Sequence, residues 1–66
     1  MANMNILKGQ LVEKGKNVEW MAEILGVTTP TAYRKLNNLE SMTIGEAAKI
    51  KTALSMSDEK AIEAFL

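Results

Sequence analysis

The side chains that could take part in chemistry are concentrated in one stretch, GVTTPTAYRKLNN, at residues 26–38. Its hydroxyl, phenol, guanidinium, ammonium and amide groups can all donate hydrogen bonds to a ligand. A glycine at its start and a proline further on are typical of the end of one helix and the beginning of the next. The stretch therefore predicts a short helix with a polar, hydrogen-bonding face.

The chain offers few groups for catalysis or metal binding. Its 66 residues include no histidine and no cysteine, there is no glycine-rich phosphate loop, and the carboxylates form no convincing pair. The acidic residues instead occupy predicted helix starts and solvent-facing positions. We expect a protein that is not an enzyme and that uses no metal and no cofactor.

The sequence also lacks the segments that direct proteins into or across membranes. No run of about 18 apolar residues is present, and the first residues, MANMNILKGQL, have no basic start followed by a long apolar stretch. The absence of cysteine fits a reducing compartment. We expect a soluble, cytoplasmic protein.

Length and charge limit the fold and its partners. A chain of 66 residues predicts a single domain, 1–66, and a domain of this size buries only about 60% of the surface that its unfolded form exposes. Compact helix packing or self-association has to supply the stability that disulfides and zinc give other small proteins. The net charge is zero, with a balance of +2 over residues 1–38 and −2 over residues 39–66. A neutral chain weakens the case for binding nucleic acid through bulk electrostatics alone.

Apolar spacing between turn residues predicts five helices and no strand. The first helix runs from about residue 3 to residue 14, with Gly15 just beyond it. The second begins after Asn17, a good N-cap, and stops at Gly26. The last opens at Ser57, whose hydroxyl suits an N-cap, and carries acidic residues in its first turn.

Proline sets the start of the third helix, and a threonine sets the start of the fourth. Pro30 has no amide hydrogen and a fixed φ, and it disfavours the α region for the residue before it. We therefore predict Thr29 as the N-cap and Pro30 as the first residue of a helix that ends at about residue 37. Thr43 and Glu46 then have the T-x-x-E spacing of a capping box.

The second and third predicted helices have the spacing of a helix-turn-helix. In that motif about three residues with a glycine join two helices, and the second helix enters the major groove of DNA. Ala22 lets the helices approach closely, Gly26 supplies the positive φ of the turn, and three apolar side chains seal the pair from behind: Val27, Ala32 and Leu36. A helical hairpin in an unrelated bundle could use the same residues, so spacing alone leaves both interpretations open.

Residues 18–36, VEWMAEILGVTTPTAYRKL, resemble the helix-turn-helix of the lambda-repressor-like (Cro/repressor, Xre) family. The match includes Ala22 and, four residues later, Gly26. The continuation over residues 43–54 resembles the fourth helix of small phage-type members, in which a Y-R-K-L third helix is followed by a T-L-x-E-A start. The resemblance covers nearly the whole chain and implies an all-α, five-helix DNA-binding domain with its helix-turn-helix at about residues 18–37.

The resemblance implies a sequence-specific transcriptional regulator, such as a phage or prophage repressor in a bacterial cell or phage-infected host. Such a protein binds double-stranded DNA through its third helix, here about residues 29–37, usually as a homodimer on a paired site. Carried over position by position, the family pattern gives five residues that face base edges or nearby phosphates: Thr29, Pro30, Tyr33, Arg34 and Asn37. The predicted DNA-binding set is completed by Thr28, Thr31 and Lys35.

Individual roles follow from side-chain chemistry. The guanidinium of Arg34 can bridge the O6 and N7 acceptors of guanine, a contact that discriminates by about 1–3 kcal/mol; the alternative is a solvated arginine on a surface helix. Tyr33 would pack on a thymine methyl group or reach a phosphate, or else lie across the hairpin. Lys35 suits phosphate or solvent better than a base. Thr28 and Thr29 could donate to phosphates, although helix capping accounts for one of them.

Two positions depart from the family pattern. Many members have a glutamine that contacts the DNA backbone where this chain has Val18, and a polar base-reading residue where it has Pro30. Both changes remove hydrogen-bond donors from the expected DNA face. We therefore expect weak binding by a monomer and strong salt sensitivity of the remaining phosphate contacts.

A second, apolar surface needs an explanation. Trp20 and Ile24 stand four residues apart on the second helix, where the family usually has charged, exposed residues. Exposed together, they would form a patch for a partner or a second copy; otherwise the amino-terminal residues or another helix cover Trp20. Ile62, Phe65 and Leu66 pose the same choice between core closure and a dimer surface.

These observations support two hypotheses from different classes. The first is the DNA-binding regulator, for which replacement of Arg34 by alanine should weaken specific binding. The second is a protein-interaction module, anti-repressor-like, on a helix-turn-helix scaffold with weak or lost DNA binding. Its distinguishing property would be a complex that is lost on Trp20→Ala and unaffected by Arg34→Ala.

Overall fold

The computed structural model describes residues 3–66, and over these residues the chain is helical, with five α-helices and no strand. The elements in chain order are α1 (Met4–Glu13), α2 (Val18–Leu25), α3 (Thr29–Asn37), a 3₁₀ turn (Leu39–Ser41), α4 (Ile44–Ala53) and α5 (Asp58–Phe65). The predicted all-α class is confirmed. Among residues 3–66, no helix combines the length and the apolar character needed to cross a membrane.

Side-chain caps fix the starts of three helices where the sequence predicts them. The Asn17 side-chain oxygen accepts a hydrogen bond from the Trp20 N–H at 2.9 Å, and the Ser57 hydroxyl accepts one from the Lys60 N–H at 3.1 Å. The capping box at α4 is reciprocal: Thr43 Oγ1 accepts from the Glu46 N–H, and Glu46 Oε1 accepts from the Thr43 N–H, both at 3.0 Å. These bonds satisfy amides that have no partner within the helix.

The start of α3 differs from the prediction by one residue. Thr28, in extended conformation with φ −73° and ψ 158°, is the N-cap, and Thr29 is already helical. Pro30 is thus the second helical residue and not the first. The physical reason is that all N–H groups of the first turn lack an intrahelical acceptor, so a residue without an N–H is tolerated at either position.

Gly26 ends α2 in the left-handed conformation, with φ 70° and ψ 34°. Its N–H donates to the Glu23 carbonyl at 3.2 Å, and the Val27 N–H donates to the Ala22 carbonyl at 3.0 Å. This backbone conformation favours glycine because an L side chain at positive φ is strained. The turn redirects the chain within three residues, so that α3 returns against α2.

The core is small and draws on every helix. Its most deeply buried large side chains are Leu7, Met21, Leu36, Ile50 and Leu54, and α5 contributes Ala64. α2 packs against α3 and α4, while α1 packs against α5 and α3. The Asn3 N–H donates to the Ala64 carbonyl at 2.8 Å and so joins the start of α1 to α5. In this arrangement only one side of α3 packs against the rest of the protein, and its other side is exposed.

Candidate nucleic-acid interface

α3 has one buried side and one exposed side. Ala32 and Leu36, four residues apart, face the core. The exposed residues recur at intervals of three and four, which places them on one face of a helix; we call this set the α3 face, and it comprises Pro30, Tyr33, Arg34 and Asn37. A phenol, a guanidinium and an amide are thus presented to solvent side by side.

Arg34 is the principal charged group on the α3 face. Among residues 3–66, no carboxylate lies within ion-pair distance of its guanidinium. Its five N–H donors have a planar arrangement that suits bidentate contact with paired acceptors. Tyr33 beside it is exposed, so its phenol is accessible from solvent.

Lys35, by contrast, is directed toward α4. Its Nζ lies 3.1 Å from Glu46 Oε1, and the two side chains are only 19% and 18% exposed. Glu46 accepts the Thr43 N–H with the same oxygen. The backbone hydrogen bond from Thr43, followed by the bond and charge of Lys35, outweighs the cost of burial and lowers the pKa of Glu46. Lys35 is thus paired within the protein, and its predicted contact with phosphate or solvent stays a prediction.

The threonines at the start of α3 are partly occupied with one another. The Thr28 hydroxyl donates to Thr31 Oγ1 at 3.0 Å, and Thr28 makes no side-chain cap on the helix. Thr28 is exposed, whereas Thr29 and Thr31 are half-buried. Of these hydroxyls, that of Thr28 is the most accessible to a ligand.

A surface cleft adjoins the α3 face and contains basic residues that the sequence-based prediction omits. Tyr33 and Asn37 line it from α3, Lys8 lines it from α1, and Lys16 and Asn17 line it from the turn before α2. We call this site the basic cleft. The +2 balance of residues 1–38 was the only sequence signal for it. Folding is what brings Lys8, distant along the chain, beside Tyr33.

Among the described residues, two lysines and no carboxylate line the basic cleft, in a molecule of zero net charge. The ion pairs within residues 3–66 involve Lys35 with Glu46, Lys51 with Asp58, and Lys60 with Glu63. Lys8, Lys16 and Arg34 are outside these pairs. Lys16 Nζ lies 5.4 Å from the centroid of the Trp20 ring, which is cation–π distance. Lys8 and Lys16 line a cleft whose walls also include apolar side chains, among them Val12 and Val18.

The predicted apolar surface on α2 is less open than its sequence indicates. Trp20 is half-buried against the edge of the core, with Lys16 over its ring. Ile24 is half-buried and lies beside Gly45 and Ala48 of α4. Both residues are thus partly buried, and their role as a partner or dimer surface stays a prediction.

The two carboxyl-terminal candidates take different positions. Phe65 is half-buried against the core, whereas Leu66 is exposed. Phe65 therefore contributes to core closure as well as to a surface groove, and Leu66 contributes to the surface only. Ile44, which the sequence-based prediction omits, is the most exposed large apolar residue between residues 3 and 66.

The described residues define an all-α protein in which a short polar helix is held by its buried side and exposed on its other side. No protein-family model, curated protein or solved structure matches this chain. The function is therefore inferred from the α3 face and the basic cleft.

Proposed function

We propose that this protein is a sequence-specific DNA-binding transcriptional regulator of the lambda-repressor-like kind, such as a phage or prophage repressor. In this proposal α2, the turn at residues 26–28 and α3 act as a helix-turn-helix, and α3 enters the major groove of double-stranded DNA. Two copies read a paired site in the cytoplasm of a bacterial cell or phage-infected host. The activity is binding, without an enzymatic step, a metal or a cofactor.

The observation that carries the proposal is the free guanidinium of Arg34 on an exposed helix face. Base edges in the major groove present pairs of acceptors, above all O6 and N7 of guanine, that arginine contacts with two parallel hydrogen bonds. Tyr33 and Asn37 on the same face offer an aromatic surface and an amide for neighbouring bases. Sequence selectivity is assigned to these three side chains.

The basic cleft supports the same proposal through the DNA backbone. Phosphate contacts position a protein on the duplex, and base contacts then specify the sequence. Lys8 and Lys16 lie beside Tyr33 and Asn37, where a strand flanking the groove would run. Lys35 is left out of this set because Glu46 neutralises it within the protein.

The small number of free cations predicts weak, salt-dependent binding. Each phosphate neutralised on duplex DNA contributes about −0.9 to the slope of log K against log salt, so two lysines give a slope of about −2 per copy. Pro30 adds no donor to the α3 face because its nitrogen carries no hydrogen. A single copy is therefore expected to bind measurably only at low salt.

An amide NMR titration with a mixed-sequence duplex tests the proposal. At low salt we expect shifts clustered on residues 28–37 and on Lys8 and Lys16, which weaken at physiological salt; operator selection from random sequences would follow. Absence of shifts in this set at low salt would contradict the proposal. Lys49, an exposed lysine on α4 away from the cleft, serves as the internal control.

A protein-interaction module with weak or lost DNA binding is the second candidate. It is favoured by the zero net charge and by the exposed apolar residues of α4 and α5, led by Ile44 at 91% exposure. Under this hypothesis a complex with another protein survives Arg34→Ala and is lost on Trp20→Ala. Recovery of a specific operator by selection, together with loss of its binding on Arg34→Ala, would contradict this second hypothesis.

A further inference from the structure

An apolar groove lies between α4 and α5. Ile44 at the start of α4 is 91% exposed, Ile62 on α5 is 56% exposed, and Leu66, directly after α5, is 71% exposed. These three side chains border the same groove of about 290 Å³, to which Phe65 and small alanines also contribute. Clustered exposed apolar side chains mark interaction sites, whereas scattered ones do not.

The exposure of Ile44 is fixed by the fold. Ile44 follows the N-cap Thr43 directly, and the reciprocal Thr43–Glu46 capping box holds this turn. The ion pair between Glu46 and Lys35 then anchors the turn to α3 at 3.1 Å. The isoleucine therefore projects from a rigid helix start and not from a fraying end.

We infer that this groove is the docking surface for a second copy of this chain, with Ile44 of each copy inserted between α4 and α5 of the other. A two-fold pairing of this kind presents the same patch from both copies. Ala47, Ala48 and Ala61 line the groove with short side chains, and short side chains allow two helices to approach closely. The inference goes beyond the proposed DNA binding, because it locates the contact between copies.

The charges at the groove favour a second copy over a strongly charged partner. Lys51 lines the groove, and its Nζ lies 2.9 Å from Asp58 Oδ1. The pair presents one charge of each sign, so a two-fold axis can set the lysine of one copy against the aspartate of the other. The Asp58 side chain is 88% exposed and has room for a second cation.

A dimer of standard size would cover a large part of this small chain. A standard interface buries about 800 Å² per partner, which would be roughly a fifth of the 4176 Å² that the described chain exposes. Eleven residues line the groove, about a sixth of the 66 in the chain. None of the groove residues belongs to the α3 face or the basic cleft, so both α3 helices stay exposed in the dimer.

Analytical ultracentrifugation over a range of concentrations tests the inference. It compares self-association of the wild type with that of the Ile44→Glu variant and of the control variant Val12→Glu. The Ile44→Glu variant should keep its fold, because Ile44 is almost fully exposed and the helix dipole favours a glutamate in the first turn of α4. Circular dichroism checks that the variant is folded. Val12 is also apolar and 78% exposed; it lies outside the groove, on the wall of the basic cleft, which this DNA-free measurement does not involve. We expect Ile44→Glu to weaken self-association about tenfold or more, as at a central interface residue, and Val12→Glu to leave it unchanged.

Intermolecular NOEs in a mixed-label sample identify the face directly. We expect contacts from the Ile44 methyl groups to α5 protons of the other copy. Any of three results would overturn the inference. The wild-type chain could stay monomeric at every soluble concentration, the Ile44→Glu variant could associate like wild type, or the NOEs could be confined to the Trp20 and Ile24 side. An intact dimer with a silent DNA titration would overturn the proposed function alone.

Discussion

Lys35 and Glu46 form a half-buried ion pair between α3 and α4, with Nζ 3.1 Å from Oε1. The same carboxylate closes the capping box by accepting the Thr43 N–H at 3.0 Å. One acidic side chain thus fixes the start of α4, orients α3 against it and withdraws a lysine from the surface. Arg34, the next residue along, is left as the free cation of the α3 face.

Replacement of Glu46 by glutamine should destabilise the fold at neutral pH. The change removes a charge-assisted cap and the partner of Lys35, for an expected loss of about 1 kcal/mol in the free energy of unfolding. Because the pKa of Glu46 is lowered from its ordinary value of 4.5 in the folded state, its stabilisation is present above that value and is lost as pH falls through the folded pKa. Urea unfolding should therefore show the two proteins converging at acid pH.

Glu63→Gln is the matched control for that experiment. Glu63 pairs with Lys60 only at 3.8 Å, and both side chains are more than half exposed. Exposed pairs of this kind contribute little to stability. A gap between wild type and Glu46→Gln that stays constant from neutral to acid pH would contradict the assigned role of Glu46.

Arg34→Ala should reduce the affinity for a selected operator by about 1–3 kcal/mol and relax the preference at one base pair. Arg34→Lys should recover little of this, since an ammonium cannot make the two parallel hydrogen bonds of a guanidinium. Fluorescence anisotropy with the operator and with point-mutated duplexes measures both effects. Lys49→Ala, which removes an exposed charge on α4, is the control; equal losses for Arg34→Ala and Lys49→Ala would argue against base recognition by Arg34.

Lys8→Gln and Lys16→Gln should weaken binding to all duplexes alike. Each substitution is expected to make the slope of log K against log salt shallower by about 1, because a phosphate contact releases counterions irrespective of base sequence. Lys14→Gln, at an exposed position outside the basic cleft, should leave the slope unchanged. If all three variants change the slope equally, the effect is one of net charge and the cleft has no special role.

Gly26→Ala should destabilise the protein by about 1 kcal/mol, because an L residue at positive φ is strained. A methyl group at this position would meet no heavy atom within 4 Å, so steric collision does not contribute. Gly9→Ala is the reciprocal test. Gly9 lies inside α1 with equally open surroundings, and alanine there should stabilise by about 0.5–1 kcal/mol. Thermal unfolding that moves both variants in one direction would contradict this account.

Local signals in the sequence predicted the helices well. Asn17, Thr43 and Ser57 cap as expected, and Gly26 ends α2 at positive φ. Each of these features depends on hydrogen bonds or torsions within a few neighbouring residues, which the residue type alone can specify. The start of α3 was wrong by one residue because proline fits more than one position in a first turn.

By itself, then, the sequence determined an all-helical chain and a polar third helix, since periodicity and capping are properties of nearby residues. Only the tertiary structure decided which charges are free. Lys35 and Glu46 meet across eleven positions, Lys8 reaches the cleft beside Tyr33, and Ile44 is left exposed. Pairing and exposure of this kind depend on how helices pack, because the side chains that meet are contributed by elements distant in the chain.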